Sequence, residues 1–458
     1  MSSNGLKRNA PDDYPATGDW ETDVPLSPSQ QAAFDRAMAG ESLFITGPAG
    51  TGKSALLRQL SAALEQRYDV GDDAKHVYVS SSTGISASLV SGVTLHSILK
   101  AGLVRDAAEI VKSAWNNRAF WENCQVLIID EISMLNDFMF DGIDGAARKV
   151  RFRSKNQMFG GIQVILFGDL AQLPPVTGDS VVHAKVWDHF SKHTALLTDV
   201  FRQNDDTFVD LLHRVRLGNQ TRADIERINT RYVESCGDDV PRLYTRNIDV
   251  REYNEKKLDA LPGPDYSYTA DDRFAVVKAR ANKRTKTDDD EVPSTVRDKL
   301  RKNVRVAETI RLRVGARVLL LININVAAGL VNGSSGEVIE ADSTGVRVRF
   351  DSGPVMRLER MRFEAREVVG AREMMMARMQ VPLTLGWATT VHKSQGMSLD
   401  RAAIDLARVW GVALGYVSLS RLRSLDALYM LSHVDDTTFV ANQEACEFYA
   451  ALQEAVKP

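Results

Sequence analysis

Cysteine is scarce in this chain: Cys124, Cys236 and Cys446 are the only three, and none forms a CxxC pair or sits in a His-rich run. That spacing excludes a zinc finger and a disulfide framework, and it fits a reducing intracellular compartment, nucleus or cytoplasm. Long hydrophobic runs are missing too. No segment approaches the roughly 18 apolar residues of a membrane span, so a soluble globular protein with no membrane partner is expected. Charge of one sign is also lacking: a net charge of -3 gives no global mark of a nucleic-acid binder, although such a binder can gather its basic residues in one groove. Residues 1–25 are polar, rich in Pro, Asp and Ser, and carry neither an apolar signal core nor an Arg-rich amphipathic pattern, so they read as a disordered leader.

What is present is a long chain with ordinary apolar content, 458 residues at 44% hydrophobic, enough for about three domains at roughly 150 residues each. From Glu41 to about Phe201 the short apolar runs SLFIT, HVYVS, QVLIID, IQVILFG and ALLT alternate with helical stretches, the pattern of a parallel α/β domain, assigned to 26–198. A second α/β domain begins at 199. TFVDLLHRVRLG and TRADIERINTRYVESC read as helices, RLYTR as a strand, and a further helix ends near the breaker Leu261-Pro262-Gly263. Residues 264–380 change character. A charged stretch leads into the alternating runs TIRLRV, ARVLLLININ, GEVIEAD, VRVRF and VMRLERM around an Asn332-Gly333 turn signal, which predicts a small β-barrel insertion. RAAIDL, ALYML and a C-terminal helix bearing Phe448, Tyr449 and Leu452 then resume the α/β pattern, so the second domain is discontinuous, 199–263 with 381–458.

The chemistry concentrates in the first domain. Gly47-Pro48-Ala49-Gly50-Thr51-Gly52-Lys53-Ser54 fits GxxxxGK[ST] between a strand and a helix, the context of a phosphate-binding loop. Its glycines let backbone N–H groups curl around phosphate oxygens, Lys53 would grip the β and γ phosphates, and Ser54 would ligate magnesium. The strand in VLIIDEISML delivers Asp130 and Glu131 to the same sheet edge. Asp130 would hold the metal, and Glu131, near but not on it, would act as general base on water. A third strand ends in GDLAQLPPV, placing Asp169 and Gln172 on that edge with Gln172 able to sense the γ phosphate. ATP and Mg2+ are the expected ligand and cofactor.

At this point the residues resemble the Pif family of superfamily 1B helicases, in the RecD-like group, from about Leu26 onward. LSPSQ resembles the family's glutamine motif, STGISA with GVTLHS its motif Ia, DEISM and GDLAQLPPV motifs II and III. VFRQND with FVDLLHRVRLGN resembles motif IV, LVNGSSG the barrel region, and WATTVHKSQG and YVSLSR motifs V and VI. The resemblance implies two RecA-like P-loop NTPase domains, the second carrying the barrel. It implies that Gln30 reads adenine and that Arg202 and Arg421 are arginine fingers reaching across the cleft. It implies an ATP-dependent helicase moving 5'-to-3' on single-stranded DNA and opening duplex at junctions, monomeric when active, in replication, repair, recombination or telomere maintenance. It also implies a small pin near 98–117, whose only large aromatic is Trp115. Two positions depart from the pattern: Ala171 stands where a second aromatic is expected, and Ser418 where Ala is common.

A translocase holds its strand by the backbone with few base-specific bonds. By the resemblance, Thr83, Thr94 and His96 of motif Ia, with Thr390, His392 and Lys393 of motif V, would contact DNA. Unaided, each reads equally as a helix cap or a satisfied polar residue. The basic runs Arg148 to Lys155 and Lys278 to Lys286 track phosphate or are solvated faces. Two other functions compete: a nucleotide-switched DNA-binding subunit of a RecD-type nuclease complex, and a small-molecule kinase. The kinase is disfavoured because it needs no second α/β domain carrying fingers.

Overall fold

The computed structural model describes residues 25–69, 76–82, 86–87, 90, 92–99, 104, 106–203, 205–237, 240–277, 292–304, 306–325, 328, 330–369 and 372–456. The expected leader and the run Lys278–Lys286 lie outside them, apart from Pro25. The first described helix, Pro28–Met38, starts on a capping box in which Ser27 and Gln30 satisfy each other's backbone N–H, with Pro28 at the first helical position.

Six parallel strands form the first sheet: β1 Leu43–Thr46, β2 Val77–Ser81, β3 Val93–Thr94, β4 Val126–Asp130, β5 Gln163–Gly168 and β6 Thr194–Leu196, in the order β3-β2-β4-β5-β1-β6. Strands β1, β2, β4 and β5 are buried at every residue, which is why they read as unbroken apolar runs rather than alternating ones. After β7, Arg242–Tyr244, the chain enters an antiparallel module. It comprises β8 Tyr266–Thr269, β9 Asp271–Val277, β10 Thr309–Leu312, β11 Arg317–Leu320, β12 Ser335–Ala341, β13 Gly345–Phe350, β14 Val355–Glu359, β15 Met361–Val369, β16 Arg372–Gln380 and β17 Leu383–Leu385. They pair as three sheets, β10-β8, β14-β13-β12-β11-β17 and β15-β16-β9, over one core that includes Tyr268, Phe274, Leu300, Val338, Phe350 and Trp387. Among the described residues each sheet has open ends. Strands β18 Ala388–Thr390, β19 Ala402–Asp405 and β20 Leu428–Met430 then join β7 in a second parallel sheet, β18-β7-β19-β20.

One expectation changes. The C-terminal helix Gln443–Val456 follows β20, yet its apolar face packs on the first domain: Ala445 and Tyr449 belong to that core, and Phe448 meets Phe44 and Trp187 at 6.0 and 6.1 Å. Aromatic periodicity marked the face correctly but not its partner. Of the expected pin at 98–117, the parts described pack on the first domain. The helix Ala107–Ser113 lies against the helix Asp137–Val150, where a Cβ on Gly142 would come within 2.6 Å of Ile110, and Asn117 donates to the Ile98 carbonyl. Of residues 100–105 between these elements, only Val104 is described, and it too packs on the core. Among the described residues no helix is long and apolar enough to cross a membrane.

Candidate active site

Because all strands of the first sheet run parallel, their carboxyl ends share one edge, and the chemical residues collect there. Thr46 of β1 hands over to the loop Gly47–Ser54. Gly50 and Gly52 adopt φ of 91° and 73°, which only glycine takes without strain. A Cβ on Gly52 would also come within 2.5 Å of the Gln30 amide nitrogen. The helix Lys53–Tyr68 opens with no side-chain cap, leaving its first N–H groups directed at the loop, as an anion site requires. Lys53 Nζ lies over the loop, donating to the carbonyls of Gly47 at 2.7 Å and Pro48 at 2.8 Å. Burial lowers its pKa to about 8, against the pull of Asp169 and Glu131. Ser54 is exposed. Gln30 is buried and donates to the Thr51 carbonyl at 3.2 Å, tying the glutamine motif to the loop.

Strand β4 ends in Asp130, with Glu131 following in the left-handed region at φ 53°, a conformation costing of order 1 kcal/mol for a residue with a side chain. Both carboxylates are buried. Burial, then the adjacent Glu131 charge, pushes the Asp130 pKa up. Glu131 accepts from Gln395 Nε2 at 2.9 Å. Gln172, buried in the loop that follows β5, has an Oε1 with no partner among the described residues.

The second sheet closes over this edge. Phe201 N donates to the Gly50 carbonyl at 2.8 Å, Arg202 Nη1 to the Ser420 carbonyl at 3.0 Å and Gln203 Nε2 to the Leu422 carbonyl at 3.0 Å. Arg421, 1% exposed, donates from Nε to the Val417 carbonyl and from Nη2 to Ser420 Oγ, both at 2.9 Å. Burial and the neighbouring Arg202 cation lower its pKa to about 10, while Glu131 opposes them. Tyr416, on the helix Leu414–Leu419 just before the finger, accepts from Ala49 N of the loop at 3.0 Å and donates to Asp169 at 3.2 Å. Ser418, the departure in that motif, spends its hydroxyl on the Leu414 carbonyl of its own helix.

The motif V residues line a cleft of about 1230 Å³ between the first sheet, the second sheet and the antiparallel module; its walls include Met134, Arg242, Arg317, Thr390, His392 and Lys393. Thr390 caps the one-turn helix Val391–Ser394, and Thr94 hydrogen-bonds Ser97 of the next helix, so both also serve as caps. His392 stacks on Trp410, rings 9° apart, and Trp410 is 62% exposed. Half-buried His96 follows Thr94 on the helix Leu95–Leu99; Thr83 lies outside the described residues. The run Arg148–Lys155 is mostly committed: Arg148 pairs with Asp144, Lys149 and Arg151 hold backbone carbonyls, and Lys155 covers Phe152.

A model of the PIF1-like helicase family matches residues 25–226, and one of the DNA helicase Pif1 2B domain matches 297–340. The chain is 38% identical over 445 residues to ATP-dependent DNA helicase PIF1 of Rattus norvegicus, covering 94% of this chain and 64% of that protein. It is 31% identical over 444 residues to ATP-dependent DNA helicase Pif1 of Bdellovibrio bacteriovorus, covering 94% of this chain and 93% of that one. This chain belongs to the PIF1-like helicase family. The structure of the Pif1 helicase from Bacteroides in complex with ADP-AlF3 and single-stranded DNA superposes with a TM-score of 0.71 at 26% identity, covering 95% and 99% of the two chains. The mixed α/β architecture with its parallel sheets is therefore the RecA-like helicase fold. The chain spans under two thirds of the rat relative's length.

Sequence reasoning gave no role in the site to Arg216, Tyr416, Tyr449, Phe201 or Gln395. Asp169 was placed on the edge, but not as its hub: fully buried, it takes a two-pronged bond from Arg216, with the closest contact at 2.7 Å, and the hydroxyls of Tyr416 and Tyr449. Burial alone would raise its pKa, yet the Arg216 charge and hydrogen bonds hold it below the usual carboxylate range. Tyr449 also meets Thr46 Oγ1 at 2.6 Å and Leu170 N at 3.0 Å. Phe201, 54% exposed beside Gly52, and Gln395 complete the set. The signals were the quoted runs that contain them: FVDLLHRVRLGN for Arg216, YVSLSR for Tyr416, VFRQND for Phe201 and WATTVHKSQG for Gln395.

Proposed function

We propose that this chain is an ATP-dependent DNA helicase that translocates 5'-to-3' on single-stranded DNA and opens the duplex ahead of it. The observation that carries this reading is the cross-cleft closure. Gln395 donates to Glu131, the Phe201 and Arg202 backbone N–H groups donate to the Gly50 carbonyl and Tyr416 accepts from Ala49 N, while Arg421 lies within the field of Glu131, so hydrolysis and domain movement share the same bonds. Gly47–Ser54 and Lys53 bind the phosphates, with Gln30 beside the loop for the adenine. Asp130 and Ser54 suit magnesium: a buried carboxylate disfavoured as a bare anion beside a second carboxylate is the chemistry of a divalent-cation ligand. When bound, that ion neutralises phosphate charge. Glu131 takes the proton of the attacking water as the γ-phosphorus bond to ADP breaks, Gln172 orients near the γ phosphate, and the two fingers stabilise charge on the transferring group. The strand lies in the cleft at Thr390, His392 and Lys393, with Thr94 and His96 as its contacts on the first domain. The antiparallel module, read as a small barrel, covers it.

ATP turnover should rise when single-stranded DNA is added, and a duplex with a 5' tail should be displaced while one with a 3' tail is not. Turnover indifferent to DNA would sink the motor reading, and displacement from the 3' tail alone would reverse the polarity. Within that assay, Glu131→Gln should keep ATP affinity and lower turnover by about 10² or more, because the amide cannot accept the proton. Near-normal turnover would remove Glu131 as the base.

A further inference from the structure

We propose that Gln395 is a positioning residue that makes the orientation of the Glu131 carboxylate depend on whether a strand occupies the cleft. The proposal rests on the helicase reading above and deepens it. Gln395 is 1% exposed and lies directly after the one-turn helix Val391–Ser394, the segment whose His392 and Lys393 line the cleft. Its side chain crosses to the first domain, where Nε2 donates to Glu131 Oε2 at 2.9 Å and reaches Ser133 Oγ at 3.5 Å. The assignment of the amide is forced, since an ionised carboxylate only accepts and the nitrogen must face it. A single amide thus joins the turn at the cleft to the carboxylate at the catalytic edge, with no residue between.

The Glu131 end of that link is poorly fixed without it. Among the described residues, the bond from Gln395 is the one hydrogen bond that holds the Glu131 carboxylate. A four-residue helix has too few internal bonds to hold its own shape and takes its order from what it touches. Its other ties are Lys393 N donating to Thr390 Oγ1 at 3.4 Å, Ser394 Oγ donating to the Val391 carbonyl at 2.8 Å, the buried Val391 side chain and the stack of His392 on the exposed Trp410. Phosphates seated on this turn would therefore fix the starting point of the Gln395 side chain, and through it the base. Gln395 Oε1 has no partner among the described residues, so nothing else anchors the amide on its far side.

The test uses the full chain, with a single-stranded oligothymidylate as the probe, and compares steady-state turnover with and without it for the wild type, Gln395→Ala and Gln395→Met. The methionine keeps the volume and removes the amide, which guards against a packing defect in the alanine variant. The ratio of stimulated to basal kcat should fall about tenfold or more in both variants, the size of effect lost when a base is misoriented. KM for ATP and oligothymidylate affinity should stay within about threefold, a split that a merely structural loss would not give. A retained ratio, an equal fall of both rates, or a loss explained by weaker oligothymidylate binding overturns the proposal alone. A wild type that oligothymidylate does not stimulate overturns the helicase reading, and this inference with it.

Discussion

Arg421→Ala is expected to lower DNA-stimulated ATP turnover by about 10³-fold while nucleotide still binds, the range over which a finger acts in phosphoryl transfer. The guanidinium lies within the field of Glu131 and beside Arg202. Burial lowers its pKa only to about 10, which leaves it cationic at neutral pH. Its fork is held open by the Val417 and Met397 carbonyls and by Ser420 Oγ, and those bonds fix its direction before any phosphate arrives. Preorganised charge of this kind contributes more than charge that must be brought into place. Arg421→Lys separates charge from geometry: the ammonium keeps the cation but cannot reproduce three bonds in a plane, so it should recover little of the loss. If the alanine variant hydrolyses ATP at the wild-type rate with DNA present, Arg421 is only a strut between the Met397 loop and its own helix.

The parts of this molecule that the sequence announces are those whose chemistry is local. A buried parallel strand must be apolar at every position, so VLIID and QVILFG are legible as strands and their carboxyl ends as the edge where Asp130 and Asp169 emerge. A loop that exposes its N–H groups needs glycine at the positions with positive φ, so Gly50 and Gly52 betray the phosphate site. Residues whose meaning depends on a distant partner are silent. Tyr449 meets Asp169 across 280 positions and Gln395 meets Glu131 across 264, and nothing in either segment names its counterpart. The C-terminal helix illustrates the same limit. Its periodicity gives the face with Phe448 and Tyr449, while only the fold decides that this face covers the first domain's core rather than the second's. Caps mislead in the other direction: Thr390 and Thr94 satisfy neighbouring groups whether or not a strand is bound.

Asp169→Asn should destabilise the protein by about 3–5 kcal/mol, the cost of leaving one member of a buried ion pair without its partner. Arg216 is the member left behind. It is nearly as buried as Asp169 itself, bonded through Nε and Nη2 and lying over the Tyr449 ring with 4.0 Å to its centroid. Asparagine preserves the shape but removes the charge, and its amide nitrogen points a donor at one of the guanidinium or hydroxyl donors that Asp169 now accepts. The pH dependence follows from the sign of the shift. The folded pKa of Asp169 lies below its unfolded value, so its contribution is fully present above the ordinary carboxylate range and is lost as pH falls through the folded value. The difference between wild type and variant in denaturant unfolding should therefore be flat from about pH 5 to 8 and shrink only in stronger acid. The loss should also couple to Arg216: a double-mutant cycle of Asp169→Asn with Arg216→Ala should return an interaction of about 2–3 kcal/mol, because two contacting groups in one network do not add. Since the same carboxylate holds Tyr416 against Ala49 of the phosphate loop and Tyr449 against Thr46, loss of ATP affinity should accompany the loss of stability. A variant within about 1 kcal/mol of wild type, the range of an exposed pair, would mean that water replaces Asp169 around Arg216 and that the two halves are held together by their apolar contacts instead.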